Sequence, residues 1–247
     1  LEEAAKMASA VDVRMLTQSR LATNITNGII HAFKEYDASE IIMGLHEKKA
    51  DGDKFGGILT TDLVNQLNRQ IILCRCNRPL NTLRRILVAV PSRVEFEQGF
   101  YRWIERLARL AENLSCRIIF HGRIESTSLI NEYIRNQHPG VRAEYVLMEH
   151  WKEFTQLAQQ MSSDHMLVGI SARQGTATYK PLFERLRLEQ YRHYDEHNLM
   201  VVFPDQNGQS PEDMTFTAPQ HHSVDSAYSS IVNWVMNKID KGRSDAS

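Results

Sequence analysis

No stretch of the 247 residues stays apolar for the roughly 18 residues that a helix needs to cross a bilayer. The chain is therefore expected to fold in water. Charge of one sign is missing too. Lys and Arg number 29 against 30 Asp and Glu, the net charge is -1, and no long block of either sign occurs. Proteins that bind nucleic acid or anionic membranes carry a basic surplus, so no nucleic-acid partner is expected. Cysteine is scarce. Cys74, Cys76 and Cys116 are too few for a disulfide framework, and "CRC" leaves one residue between its thiols where a redox or zinc pair has two. Both of its cysteines fall on an apparent strand and read as packing residues, which fits a reducing compartment.

Catalytic signatures are lacking as well. There is no G-x-S-x-G elbow, no H-E-x-x-H and no complete phosphate-loop motif. Histidine is plentiful, with ten in the chain, and "HYDEH" sets His193 and His197 one helical turn apart, as zinc would require. No third ligand accompanies them, so they read as solvated polar residues, as does "QHHS" (220–223). No catalytic residue and no metal site are expected.

What is present is alternation. Helical spacing in "NITNGIIHAFKEY" (24–36) puts Ile25, Ile29 and Phe33 on one side, with Asn24 able to cap. "VDVRML" (11–16), "EIIMG" (40–44) and "QIILCRC" (70–76) read as strands, the second of them buried, and "TTDLVNQLN" (60–68) as a helix opened by its threonines. After the connector "NRPLNT" (77–82) the cycle restarts. Strands fall at 84–92, 116–122, 141–148, 165–171 and 198–203, and helices at 95–114, 128–137, 151–161 and 179–191. This pattern predicts an α/β fold, with parallel sheets sandwiched between helices. A polar tail follows from 207, with an amphipathic helix over 223–240.

The chain repeats itself. "SEIIMGLHEK" lies over "DHMLVGISAR", so that Gly44 matches Gly169 and Lys48 matches Arg173; "NRQIILC" lies over "EHNLMVV". The organisation expected is a partial first domain over 1–80, entering at its third strand, a second domain over 81–206, and the tail 207–247. A parallel sheet cannot easily do without its opening strands, so residues upstream of Leu1 are expected in the natural protein.

The two glycine-ended strands are where such a fold would hold a phosphate, on backbone N–H groups backed by a helix N-terminus. Their residue order resembles universal stress proteins, whose ATP-binding members follow the fourth strand with Gly, two residues, Gly, nine residues, then Gly and a hydroxyl residue. The resemblance implies tandem universal-stress-protein-like sandwiches of the adenine nucleotide alpha hydrolase type. Both copies depart from the pattern. The first keeps Gly44 and Gly57, but Glu47 occupies the middle glycine and Ile58 the hydroxyl position; a carboxylate there repels a triphosphate. The second keeps Gly169, has Ala172 for the middle glycine, and lacks the closing pair. Candidate ligand-binding residues are Gly44, His46, Gly57, Thr60 and Thr61 in the first copy, and Gly169, Ser171, Arg173 and Gly175 in the second. No cofactor is expected beyond a degenerate ATP or AMP site.

A closer resemblance covers almost the whole chain. "NGIIHAFKE", "EIIMGLHEKK", "LTTDLVNQL", "PLNTLRRILVAVPSRVEFEQGF", "CRIIFHG" and "GISARQGT" are similar to the C-terminal region of sodium/proton antiporters of the cation:proton antiporter-2 family, as found in Bacteroidetes-like bacteria. That resemblance implies a cytoplasmic regulatory region on the inner membrane. It would be partnered by the membrane domain of the same chain and by a second copy in a homodimer, with a small nucleotide as possible ligand. Two other readings stay open: a free-standing ATP-binding stress protein, and a passive dimerisation module pairing through an exposed last strand, "NLMVVF" or "QIILCRC".

Overall fold

The computed structural model describes residues 2–45, 57–150, 153, 157, 161–173, 175, 176, 178, 179 and 197–206. The expected helix at 151–161 falls mostly outside these residues, that at 179–191 almost entirely, and the tail with its helix over 223–240 altogether. No helix among the described residues is long and apolar enough to cross a membrane.

The chain divides into two compact units, Leu1–Ala38 and Ser39–Ser247. In the first, α1 (Glu2–Ala10) ends at a left-handed Asp12, and α2 (Ile25–Glu35) is capped by Asn24, whose side chain accepts the Asn27 N–H at 3.2 Å. The predicted stripe on α2 starts differently. Phe33 is buried, but Ile25 is 68% exposed and Thr26 is buried in its place. The strand predicted over 11–16 does not form, and Val11, Val13, Met15 and Leu16 are all exposed. A strand needs a ladder partner for its N–H and C=O groups, and this segment has none among the described residues.

The second unit is built on one seven-stranded sheet: β1 (Glu40–Gly44), β2 (Gln70–Arg75), β3 (Arg85–Ala89), β4 (Arg117–Gly122), β5 (Ala143–Leu147), β6 (His165–Ile170) and β7 (Asn198–Phe203). Its spatial order is β1-β2-β7-β6-β3-β4-β5. Every neighbouring pair is parallel except β2 and β7, which run antiparallel with Leu73 opposite Val201. The sheet therefore crosses the boundary expected at 80/81 without a break. It also uses both edges of β2 and of β7, so neither last strand offers the exposed edge that passive dimerisation would need; among the described residues the sheet ends at β1 and at β5.

The central strands β3, β6 and β7 are near-continuous apolar runs, as strands covered on both faces must be. On one face the sheet meets α4 (Phe100–Asn113) and α5 (Ile124–Gln137); Ile86 and Val88 of β3, Ile118 and Phe120 of β4, and Met166 and Val168 of β6 share one core with Trp103, Ile104, Leu107 and Ile130. Each such fully buried side chain contributes about 1.5–3 kcal/mol of transfer free energy. The helix predicted from 95 begins at Phe100, because Arg93 adopts a left-handed φ of 69° and residues 94–96 form a 3-10 turn. β1, predicted as buried, lies at the sheet's edge, with Ile42 65% exposed. Between β1 and β2, α3 (Gly57–Gln66) buries Leu63.

Candidate functional site

The C-terminal ends of β3, β6 and β7 converge with the C-terminal end of α3. Gly169 sits in β6 between Ala89 of β3 and Val201 of β7. The chain then turns through Ser171, Ala172 and Arg173, all buried, to Gly175, whose φ of 87° belongs to the left-handed region that glycine adopts without strain. Two hydroxyls shape the turn. Thr176 donates to the Arg173 carbonyl at 3.0 Å, and Thr178 donates to the Arg93 carbonyl at 3.1 Å.

Arg173 does not face out of this turn. Its guanidinium reaches across the sheet's antiparallel seam and donates to the carbonyls of Val64, Leu67 and Arg69, the last two at 2.5 Å, and to that of Pro204 at 3.4 Å. The last carbonyls of a helix have no partner within it, and a cation there also answers the helix dipole. Arg173 thus closes the end of α3 and the turn into β2. Burial pulls its pKa down to about 10, against the opposing pull of the Asp205 and Glu97 carboxylates. Asp205 is itself buried, 2.5 Å from Arg102 and 4.0 Å from Arg69. Gly99 lets this corner close: a Cβ there would lie 2.5 Å from both the Asp205 nitrogen and oxygen.

The predicted site residues therefore separate. Gly169, Ser171, Arg173 and Gly175 do come together, but Arg173 is occupied by backbone and cannot also grip a phosphate. Among the described residues, the buried Ser171 hydroxyl has no partner, nor has Nε2 of His121, which stands in the same sheet row as Ala89 and Gly169 and whose pKa burial lowers. In the other loop, Gly57 is the first residue of α3, so Thr60 and Thr61 lie inside the helix and do not open it. His46 and His193 lie outside the described residues. Gly44 ends β1, exposed.

Gly44 and Gly169 also face opposite sides of the sheet. Gly44 is in register with Cys74, and Cys74 with Met200; Gly169 is in register with Val201. Consecutive residues of a strand point to opposite faces, so the two glycines matched by the sequence repeat occupy unlike positions. A one-residue difference in register is enough to do this. Asp205, Glu97, Arg69, Arg102 and Gly99 were missed by sequence reasoning. One signal was there: Gly99 stands inside an otherwise helical pattern, where a glycine marks a boundary or a close approach.

The fold is universal-stress-protein-like. A universal stress protein from Archaeoglobus fulgidus superposes with a TM-score of 0.53 at 15% identity, covering 81% of this chain and 75% of that one. The cytoplasmic domain of a prokaryotic cation chloride cotransporter superposes equally well, at 0.53 with 8% identity, covering 83% and 79%. No family model and no curated protein sequence matches the chain.

Proposed function

We propose that this chain is the cytoplasmic regulatory region of a membrane transporter, an antiporter that exchanges a monovalent cation for protons, and that it catalyses nothing itself. One observation carries the reading: the chain superposes on the cytoplasmic domain of a prokaryotic cation chloride cotransporter over 83% of its length. The sequence resemblance to antiporter C-terminal regions narrows the class. In this reading β1–β2 and β6–β7 are the closing strands of two copies of one α/β unit, joined back to back at the antiparallel seam. The membrane domain of the same chain is the principal partner, and a second copy completes a homodimer.

Control works through a ligand or partner that prefers one arrangement of the units. The internal commitment of Arg173 supports a loop that has given up the triphosphate grip and needs no resident cofactor. A smaller ligand would meet Ser171 and His121 instead. The test is proton flux in everted vesicles carrying the intact antiporter, with and without residues 39–206, alongside calorimetry of the chain with ATP, AMP and cyclic dinucleotides. Altered pH or cation dependence on deletion is expected. Unchanged flux overturns the regulatory role, and tight magnesium–ATP binding revives a free-standing ATP-binding protein.

A further inference from the structure

The opposite end of the same sheet carries a second cluster. β3 opens at Arg85 and β4 at Arg117, and the ladder sets these two directly opposite each other. Beyond β4, Ile118 faces Ala143, and the Ile118 N–H donates to the Arg142 carbonyl at 3.0 Å, so Arg142 stands level with Arg117. On the other flank Arg85 faces His165, and since Met166 faces Asn198, His197 stands level with His165. Adjacent strands are about 4.8 Å apart. Three arginines and two histidines are thus anchored in one row across five neighbouring strands, with no carboxylate among them.

Such a row works against the sheet, because like charges directly opposite destabilise it. Nearby groups offset only part of this. Glu144 pairs with Arg117 at 2.9 Å, and Arg142 donates to the Ser115 carbonyl at 2.8 Å. Asp164 lies 3.8 Å from Arg84 and 3.7 Å from His165. Arg85 is exposed and has no ion-pair partner among the described residues, and Arg84 beside it is 83% exposed. The cations are arginines, whose planar forks grip phosphate oxygens two at a time. A chain with net charge -1 has collected them at one end of one sheet.

We propose that the Arg85–Arg117–Arg142 row is a binding site for an anion bearing two or more phosphate groups, separate from the Gly169 turn at the other end of the strands. Both a free polyphosphate and a diphosphate lipid headgroup have this chemistry. Titration of the full chain with tripolyphosphate tests the first source, and flotation with phosphatidylcholine vesicles containing cardiolipin tests the second. Both are read at about 0.1 M salt, where charges beyond about 10 Å are screened. Binding is expected in at least one arm, and the R85Q/R117Q/R142Q variant should lose about tenfold or more of it. The R14Q/R123Q/R135Q variant removes the same charge at exposed positions elsewhere and should bind as the parent does. All six positions are at least partly exposed, so circular dichroism should show both variants folded. No binding in either arm, or equal losses from the two variants, overturns the site.

Discussion

β1 and β6 carry matching sequences, "EIIMG" and "HMLVG" with its following Ile170, yet the sheet treats them differently. β6 lies between β3 and β7 with all six residues buried. β1 lies at the edge, with Ile42 at 65% exposure and open space around Gly44. The turn after β6 ends in a buried arginine that closes another element, whereas β1 runs out of the sheet at Gly44 with its side facing the other way. Position in the sheet, rather than the residues themselves, decides which strand is core and which is rim. It also decides which glycine carries a built turn.

The most severe way to break this contrast is Arg173→Ala. It strands the carbonyls of Val64, Leu67 and Arg69 in a buried corner and leaves Asp205 with less positive charge nearby. Removing one partner of a buried charged network costs about 3–5 kcal/mol, and denaturant unfolding should show that loss. A loss below about 1 kcal/mol, the scale of an ordinary exposed hydrogen bond, would mean that Arg173 is not seated in the seam and remains available to a ligand.

The next test sets the strands against each other directly. Leu167→Ala in β6 empties a fully buried position and should cost about 2–5 kcal/mol. Ile42→Ala in β1 removes a side chain already mostly in water and should cost less than about 1 kcal/mol. Equal costs from equilibrium unfolding would mean that something covers β1 in solution.

How much of this could be read from the sequence follows the same division. Apolar runs such as "RILVA" and "HMLVGI" announce buried parallel strands on their own, and α4 shows its face through Trp103, Ile104 and Leu107. The sequence does not encode locally which strands end up next to each other. The antiparallel meeting of β2 and β7 joins residues about 130 positions apart, and nothing in "QIILCR" names "NLMVVF" as its partner. Arg173 follows Gly169 at the spacing of an anion loop, but its guanidinium donates to backbone carbonyls, three of which lie more than 100 positions away. The arginine row was invisible for a further reason. Arg85, Arg117 and Arg142 are separated by helices, and only the ladder lines them up.

A milder probe contrasts two glycines. Gly99→Ala would place a Cβ 2.5 Å from the Asp205 nitrogen and oxygen, which are backbone atoms that cannot swing aside. Overpacking of this kind costs about 1–3 kcal/mol. The variant should unfold earlier, and hydrogen exchange should show loss of protection first at the start of α4 and at residues 203–206, where the clash lies.

Gly44→Ala should have the smallest effect of all. A Cβ at Gly44 meets no atom within 4 Å, and its φ lies outside the left-handed region. Where alanine fits the native backbone, it restricts the unfolded chain and adds up to about 0.4–1 kcal/mol of stability; at an exposed strand edge that gain is reduced by the cost of covering neighbouring backbone. The expected change in unfolding free energy is therefore within about 0.5 kcal/mol of zero. The value of the measurement lies in what it does to the contrast with β6. A phosphate cradle needs its glycine because the anion approaches the bare backbone, so a methyl group there blocks the ligand while the fold stays intact. If Gly44→Ala leaves stability unchanged but removes nucleotide binding by the chain, the edge strand keeps a working loop and the buried turn after β6 is the structural one. If neither stability nor binding moves, Gly44 is a remnant of the repeat, and any control by small ligands has to run elsewhere, through the surroundings of Gly169 or the arginine row.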